Sequence, residues 1–420
     1  MKTLARLLEQ FSDTPRNIVL HADVLRRGVR PTDDLCAAGQ SSCITGLATK
    51  LQGLAGMTRA TPPSQFHFVA DETTVDIKID AASPYEINQG EDGAHHLFCG
   101  GERLAEVRFT PRPSYTDRQT SNGEPCAALL MQRGPFCLLV SPLNFCAYYK
   151  KGQACAYCIL SSAMDLGVEA GLAPAVPDPG TIAEAVSLAS ADVPLKDLKI
   201  CGGALYDTKT EARHYKKCLE AILSRVDAPE EISIFSQAFD EEDQKDLKSL
   251  GATNALFNLE VWDEDLWPRL LPGKAKAVGR GEWIQRLTRA VDIFGRGHVG
   301  SGFVGGFECG PGLKSRDEAL RSYLAGFAFL IERGIVPWFT VWTDPASPDA
   351  PPPTEFFLRL GQGLHELLEK HGMYPDLGFP RMGVNPPTLG LYCYYCFSMS
   401  FTRDYPRLIG RKKAGGAALQ

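Results

Sequence analysis

The chain has no apolar stretch long enough to cross a bilayer. Its first ten residues, Met1-Lys-Thr-Leu-Ala-Arg-Leu-Leu-Glu-Gln10, turn polar too soon for a secretory leader. It also lacks an excess of either charge: 44 Lys and Arg face 50 Asp and Glu, leaving a formal −6. No basic run stands out before Arg411-Lys-Lys413, so neither a nucleic-acid nor a membrane partner is expected. There is no repeat, and the proline run at 351–353 is the one low-complexity tract. What is present is ordinary globular composition, 44% hydrophobic and 22% charged, which argues against disorder. The expected compartment is the cytoplasm, where the 13 cysteines would be mostly thiols or metal ligands.

A length of 420 residues accommodates one large domain with a smaller companion. From Phe136 onward, short apolar or β-branched runs alternate with helical patterns. The expected strands are Cys137–Val140, Asp197–Cys201, Ile232–Ser236, Ala255–Glu260, His298–Val304 and Val336–Trp342. Helices are expected near 181–191, 210–224, 240–249, 281–294, 316–332 and 354–371. Six strand–helix units imply an α/β fold with a parallel sheet, because parallel strands need crossover connections. Right-handed crossovers curl such a sheet into a partial, TIM-like (β/α)6 barrel over residues 136–345, with its site at the C-terminal strand ends. Residues 1–135 read as a separate α+β domain: a helix near 2–11, irregular sequence, then strand-like runs Gln65–Ala70, Thr74–Asp80 and Leu104–Thr110. Residues 346–420 form a C-terminal extension containing a Pro/Gly-rich stretch, Leu377–Gly390, and Cys393-Tyr-Tyr-Cys396.

The densest chemical signal is Cys146, Cys155 and Cys158, which share the segment following the first of these strands. A structural zinc site is closed by four protein ligands, whereas a reactive metal centre keeps a position free. Three thiolates in a loop hold three corners of a cubane iron–sulfur cluster and leave one iron open to a small molecule. Two other readings apply to such cysteines. Zinc would need a fourth ligand from Cys137, Cys201 or a distant His, and a thioredoxin-like dithiol would place the pair at a helix start with no third partner.

Taken with its surroundings, this segment resembles the radical S-adenosylmethionine (SAM) superfamily, nearest its biotin-synthase-like and hydrogenase-maturase-like branch. The resemblance covers roughly residues 136–345. The closing Cys155-Ala-Tyr157-Cys158 matches the family's Cys-x-aromatic-Cys, but eight residues separate the first two cysteines where three are usual. Cys137 therefore stays open as an alternative to Cys146. Gly202-Gly203 resembles the pair whose backbone meets the SAM amino group, with Ala204 where the family has an acid. Two glycines let a backbone approach a ligand without Cβ interference. Phe257-Asn258-Leu259-Glu260 resembles the segment whose polar side chains hold the ribose hydroxyls, both of which a carboxylate accepts. Leu271-Pro-Gly-Lys274 followed by Arg280 looks like the loop and cation that receive the SAM carboxylate, with Lys274 or Arg269 as alternatives to Arg280. Gly300-Ser-Gly-Phe-Val304-Gly-Gly-Phe-Glu308 is similar to the fifth strand and turn beside the adenine, and Val336–Pro345 to the sixth strand and its exit.

The resemblance implies a 4Fe–4S cluster, SAM as cofactor, reductive cleavage to a 5′-deoxyadenosyl radical and hydrogen abstraction from a small-molecule or peptide substrate. A low-potential donor, flavodoxin or ferredoxin, is implied as partner. Cys393 and Cys396, with Cys36 and Cys43, could bind a second metal or iron–sulfur centre, or Tyr392–Phe397 could simply be a packed aromatic segment. No cobalamin-binding signature is seen. Cys99, Cys126, Cys218 and Cys309 are assigned to no site, and His95-His96 reads as a solvated loop after Glu91-Asp92-Gly93. The alternative function is a non-catalytic zinc or iron–sulfur binding or assembly protein, which would have no need of a nucleoside pocket.

Overall fold

The computed structural model describes residues 2–42, 61–70, 73–133, 136–158, 168–169, 171, 173–310, 312–342 and 351–373. Cys43, Cys393 and Cys396 lie outside the described residues.

Three helices open the chain: α1 (Lys2–Gln10), α2 (Arg16–Arg27) and α3 (Asp33–Ser41). The latter two occupy sequence expected to be irregular. In α2 the run Ile18-Val-Leu-His-Ala-Asp-Val-Leu25 is buried throughout, so it lacks the polar stripe that marks a surface helix. It is closed by Gly28 at φ 73. An antiparallel five-stranded sheet follows, in the order β2 (Thr74–Asp76), β1 (Gln65–Phe68), β5 (Glu102–Arg108), β4 (His95–Cys99), β3 (Tyr85–Gln89). His95 and His96 therefore begin a strand and not a solvated loop. His96 is buried, with Nε2 3.2 Å from the Asp92 carboxylate, because strand pairing with β3 and β5 turns it inward.

After α4 (Cys126–Leu129), the second sheet has seven strands in unbroken chain order: β6 (Leu130–Arg133), β7 (Cys137–Val140), β8 (Asp197–Cys201), β9 (Glu231–Phe235), β10 (Asn254–Leu256), β11 (Val299–Gly305) and β12 (Ile335–Val341). The first pairs antiparallel with β7, and every later neighbour pairs parallel. Among the described residues the two edge strands do not pair, so the sheet is an open, partial barrel.

Between the strands run α5 (Ala147–Lys150), α6 (Pro179–Ala189), α7 (Thr208–Leu223), α8 (Glu241–Ser249), α9 (Trp267–Leu270), α10 (Pro272–Ala277), α11 (Arg280–Phe294) and α12 (Arg316–Glu332), and α13 (Thr354–Lys370) follows β12. Several starts carry the expected caps: Asp178, Asp207, Asp240 and Ser315 each accept backbone N–H bonds, and Ser315 with Glu318 completes a capping box. An order that never reverses, with crossovers of the usual hand, puts the connecting helices on one face. The strands alternate to match. Leu198, Ile200, Ile232 and Ile234 are apolar and buried, while Asp197, Lys199, Glu231 and Ser233 share the opposite face and are also buried. Phe303 and Phe339 both reach Phe327 of α12, at centroid distances of 5.2 and 6.3 Å. The other face carries a polar layer at the N-terminal strand ends, where Lys199 pairs with Asp197 at 3.0 Å.

The N-terminal helices join this core through α2. Arg26 donates to the carbonyls of Pro352 and Pro351 at 2.8 and 3.2 Å, and Thr354 donates to Asp23 at 2.6 Å. Among the described residues no helix is long and apolar enough to cross a membrane.

Candidate functional site

The informative side chains gather where the parallel strands end. β10 ends at Leu256, and two side chains join the backbone bonds that still link residues 257–260 to β11. Asn258 Oδ1 accepts from Gly302 N at 3.0 Å, and Ser301 Oγ accepts from Leu259 N at 3.0 Å. The chain then reaches Glu260, the one non-glycine residue at positive φ (70°) among the described residues. Such a conformation costs of the order of 1 kcal/mol or more and persists where the surroundings over-determine it. Here Glu260 N donates to Gly302 O at 2.8 Å and Val304 N donates to Glu260 O at 2.7 Å.

The Glu260 side chain is buried and accepts from two partners. Lys274 Nζ donates to Glu260 Oε1 and to the Asn258 carbonyl, each at 2.8 Å, and lies 4.7 Å from the Trp283 ring centroid. The Tyr157 hydroxyl is the other donor. Burial works against the charge on Lys274, yet Glu260 and the thiols of Cys155 and Cys158 raise its pKa above the ordinary lysine value. Burial and the Glu260 carboxylate push the Tyr157 phenol well above its ordinary range. The tyrosine ring packs edge-on to Phe307, with centroids 5.5 Å apart.

Cys146 is the N-cap position of α5, and Cys158 N donates to Cys155 O at 2.9 Å, so a tight turn carries the second and third thiols. Burial pushes the Cys155 thiol up to about 12; Lys274 opposes that shift, and Cys158, Glu260 and Cys146 add to it. The three sulfurs, Glu260 and Lys274 thus share one electrostatic environment. Among the described residues no three His, Cys, Asp or Glu side chains converge as ligands of a single ion do. A cubane asks for a wider spread, since its thiolates sit on different irons. Lys274, a cation that is not itself a ligand, favours the thiolate forms of Cys155 and Cys158 that such a cluster needs, against the burial that raises the Cys155 thiol.

Gly202 and Gly203 face the cysteine segment. A Cβ on Gly203 would stand 1.6 Å from the Phe145 carbonyl oxygen, and one on Gly202 would stand 3.0 Å from Leu143 N and O. Gly203 N donates to Leu143 O at 2.9 Å and Ala147 N to Ala204 O at 2.8 Å, which seats Cys146 against the end of β8. Cys137 opens β7 at the far end of the sheet and hydrogen-bonds to Asp197, so the structure does not bring it to Cys155 and Cys158. Arg280 is also held elsewhere. Its Nη2 donates to Trp262 O at 2.7 Å, its guanidinium lies 4.7 Å from the Trp262 ring, burial lowers its pKa, and its charge partners are Glu264, Asp263 and Glu308. Both backbone groups of Val304 are engaged, N–H with Glu260 and C=O with the Tyr323 hydroxyl.

Sequence reasoning gave no part to Glu211, which is fully buried in the first turn of α7. An acid there reads as a partner of the helix dipole. It instead accepts from Leu205 N at 2.7 Å and Gln237 Nε2 at 2.6 Å, and burial raises its pKa to about 7 against those donors.

No family model matches the chain. It is 23% identical over 324 residues to the bacteriochlorophyllide c C-7(1)-hydroxylase of Chlorobaculum limnaeum, covering 71% of this chain and 78% of that protein. Among solved structures, a radical SAM methyltransferase from Sphaerobacter thermophilus aligns at a TM-score of 0.40 and 16% identity, over 68% of this chain and 76% of that one. The hydrogenase maturase HydG of Carboxydothermus hydrogenoformans aligns at 0.40 and 12%, over 56% of this chain and 52% of the maturase. The chain spans about half the length of the maturase it aligns with.

Proposed function

We propose that this protein is a radical SAM enzyme in which Cys146, Cys155 and Cys158 hold a 4Fe–4S cluster and leave one iron open to SAM. The observation that carries the reading is the convergence of these thiols with Tyr157, Glu260 and Lys274 beside Asn258 and Gly302. The chemistry the bound pair supplies is reductive cleavage of the sulfonium, giving methionine and a 5′-deoxyadenosyl radical that takes a hydrogen atom from substrate.

The chain's own residues bind and orient. Lys274, which feels the thiols of Cys155 and Cys158 while donating to Glu260 and the Asn258 carbonyl, suits the SAM carboxylate better than Arg280, whose charged neighbours are Glu264, Asp263 and Glu308. Glu260 and Asn258 suit the ribose, whereas the Trp338 indole fills the space over Gly300 and Gly302, 2.5 and 2.9 Å from where a Cβ would stand. Tyr157, Phe307 and Trp342 form an apolar wall that keeps water from the reacting centre, with Phe307 and Trp342 5.4 Å apart. The expected electron donor is flavodoxin or ferredoxin. The substrate is a small molecule or a peptide, and the relative named as a bacteriochlorophyllide hydroxylase supports a small molecule. Residues 1–135 would shape or recruit it, and Cys393 with Cys396 in the 346–420 extension would hold any second centre.

The test is anaerobic reconstitution with iron and sulfide, reduction, and assay for 5′-deoxyadenosine after SAM is added. Wild type and Cys393→Ala should form it, and Cys155→Ala should lose both iron and product. A fully clustered, reduced wild type that makes none would favour the carrier reading.

A further inference from the structure

Eight residues separate Cys146 from Cys155, and they fold as the single turn of α5 closed by Gly152 at φ 67. Segments that follow three of the strands grip this turn. Beyond β9, Gln237 accepts from the Tyr148 hydroxyl and donates through Nε2 to Glu211 Oε2 and to Leu205 O, each at 2.6 Å. Beyond β8, the Tyr206 hydroxyl donates to Gln153 Oε1, and its ring stands edge-on to Tyr148 with centroids 5.1 Å apart. Beyond β10, Gly273 N donates to Gln153 O at 3.1 Å. Gly273 has no room for a side chain: a Cβ would stand 2.4 Å from the Tyr148 ring and 2.7 Å from Gln153 O. Glu211 ties the first two loops together, accepting from the backbone N–H of Leu205 and of Gln237.

We infer that this turn is a brace which fixes the Cys146–Cys155 separation before the metal centre is loaded, with Tyr148, Gln237 and Glu211 as positioning residues; the inference rests on the cluster assignment proposed above. A linker of this length with no partners would lose its conformational freedom only on metal binding, and that ordering cost would weaken the site. Anchored by these three segments, the linker meets the cost during folding, and the thiols stand ready. Tyr148 reaches Gln237 across 89 residues of sequence, so the brace also couples the cysteine segment to the sheet.

The experiment compares wild type, Tyr148→Phe and Gly273→Ala after anaerobic reconstitution. Three quantities are read: iron per chain, the unfolding midpoint of the apoprotein, and the rate of iron release to the ferrous chelator bathophenanthroline. Tyr148→Phe removes one oxygen and strands Gln237 Oε1. It should release iron about tenfold faster, the order of one buried hydrogen bond. Gly273→Ala crowds the Tyr148 ring and Gln153 O and should act in the same direction. A purely structural role would lower the midpoint and leave the release rate unmoved. Wild-type release by Tyr148→Phe therefore overturns the brace while the cluster assignment stands. A wild type that retains no iron overturns both.

Discussion

Replacing Gly203 with alanine tests the seating of Cys146. The new Cβ would lie 1.6 Å from Phe145 O, 2.5 Å from Phe145 C and 3.1 Å from Cys146 N, all backbone atoms that cannot rotate away. Ordinary contact starts near 3.4 Å, so the Phe145 carbonyl must retreat by about 1.8 Å. That movement strains or breaks the bonds from Gly203 N to Leu143 O and from Ala147 N to Ala204 O. Each is worth about 0.5–1.5 kcal/mol, and overpacking adds about 1–3 kcal/mol. Against a total stability of about 5–15 kcal/mol, the cheaper response is local detachment of the loop. Gly203→Ala should keep a cooperative transition by circular dichroism and lose most of its reconstituted iron. Gly202→Ala, whose nearest contacts are at 3.0 Å, should keep most of it. Equal iron in Gly203→Ala and wild type would refute the reasoning.

Two further outcomes are expected. Glu211 has its folded pKa raised by burial from 4.5 to about 7, so the folded state holds the extra proton in that interval. Stability from this group is then fully present below about pH 4.5, falls as pH rises toward 7 and levels off above it, a change of about 3 kcal/mol. Denaturant midpoints across this range should show a steeper decline in wild type than in Glu211→Gln, and identical pH profiles would contradict it. Lys274→Met leaves Glu260 buried without its cation, a loss of about 3–5 kcal/mol. By calorimetry it should weaken SAM binding to the clustered protein more than Arg280→Met does, and the reverse order would return the carboxylate to Arg280.

The core was legible because its strands are short apolar runs separated by helices with clear starts. The helix expected near 316–332 is Arg316–Glu332, and Cys137–Val140 and Asp197–Cys201 match in full. The last three residues of the expected strand Ala255–Glu260 carry the site instead, since Asn258 and Ser301 side chains join the backbone bonds there and Glu260 turns left-handed. Hydrophobic period does not report such bonding. Helix α2 was missed for a related reason: Ile18, Val19 and Val24 are β-branched, and burial runs unbroken from Ile18 to Leu25, taking in His21 and Asp23, so no exposed polar stripe marks the helical period. Sequence left Arg280, Lys274 and Arg269 open as the cation for the SAM carboxylate, and only the fold shows that Lys274 reaches the Asn258 carbonyl while Arg280 reaches that of Trp262. The Tyr148–Gln237–Glu211 chain joins residues 89 and 26 positions apart, a relation visible only in the fold.

Mössbauer spectroscopy of protein reconstituted with ⁵⁷Fe, recorded before and after SAM is added, reaches the central claim most directly. One iron of the four should change its isomer shift when SAM binds, and Cys146→Ala should remove the cluster spectrum altogether. Four irons indifferent to SAM, or a zinc ion enclosed by four thiolates, would contradict it.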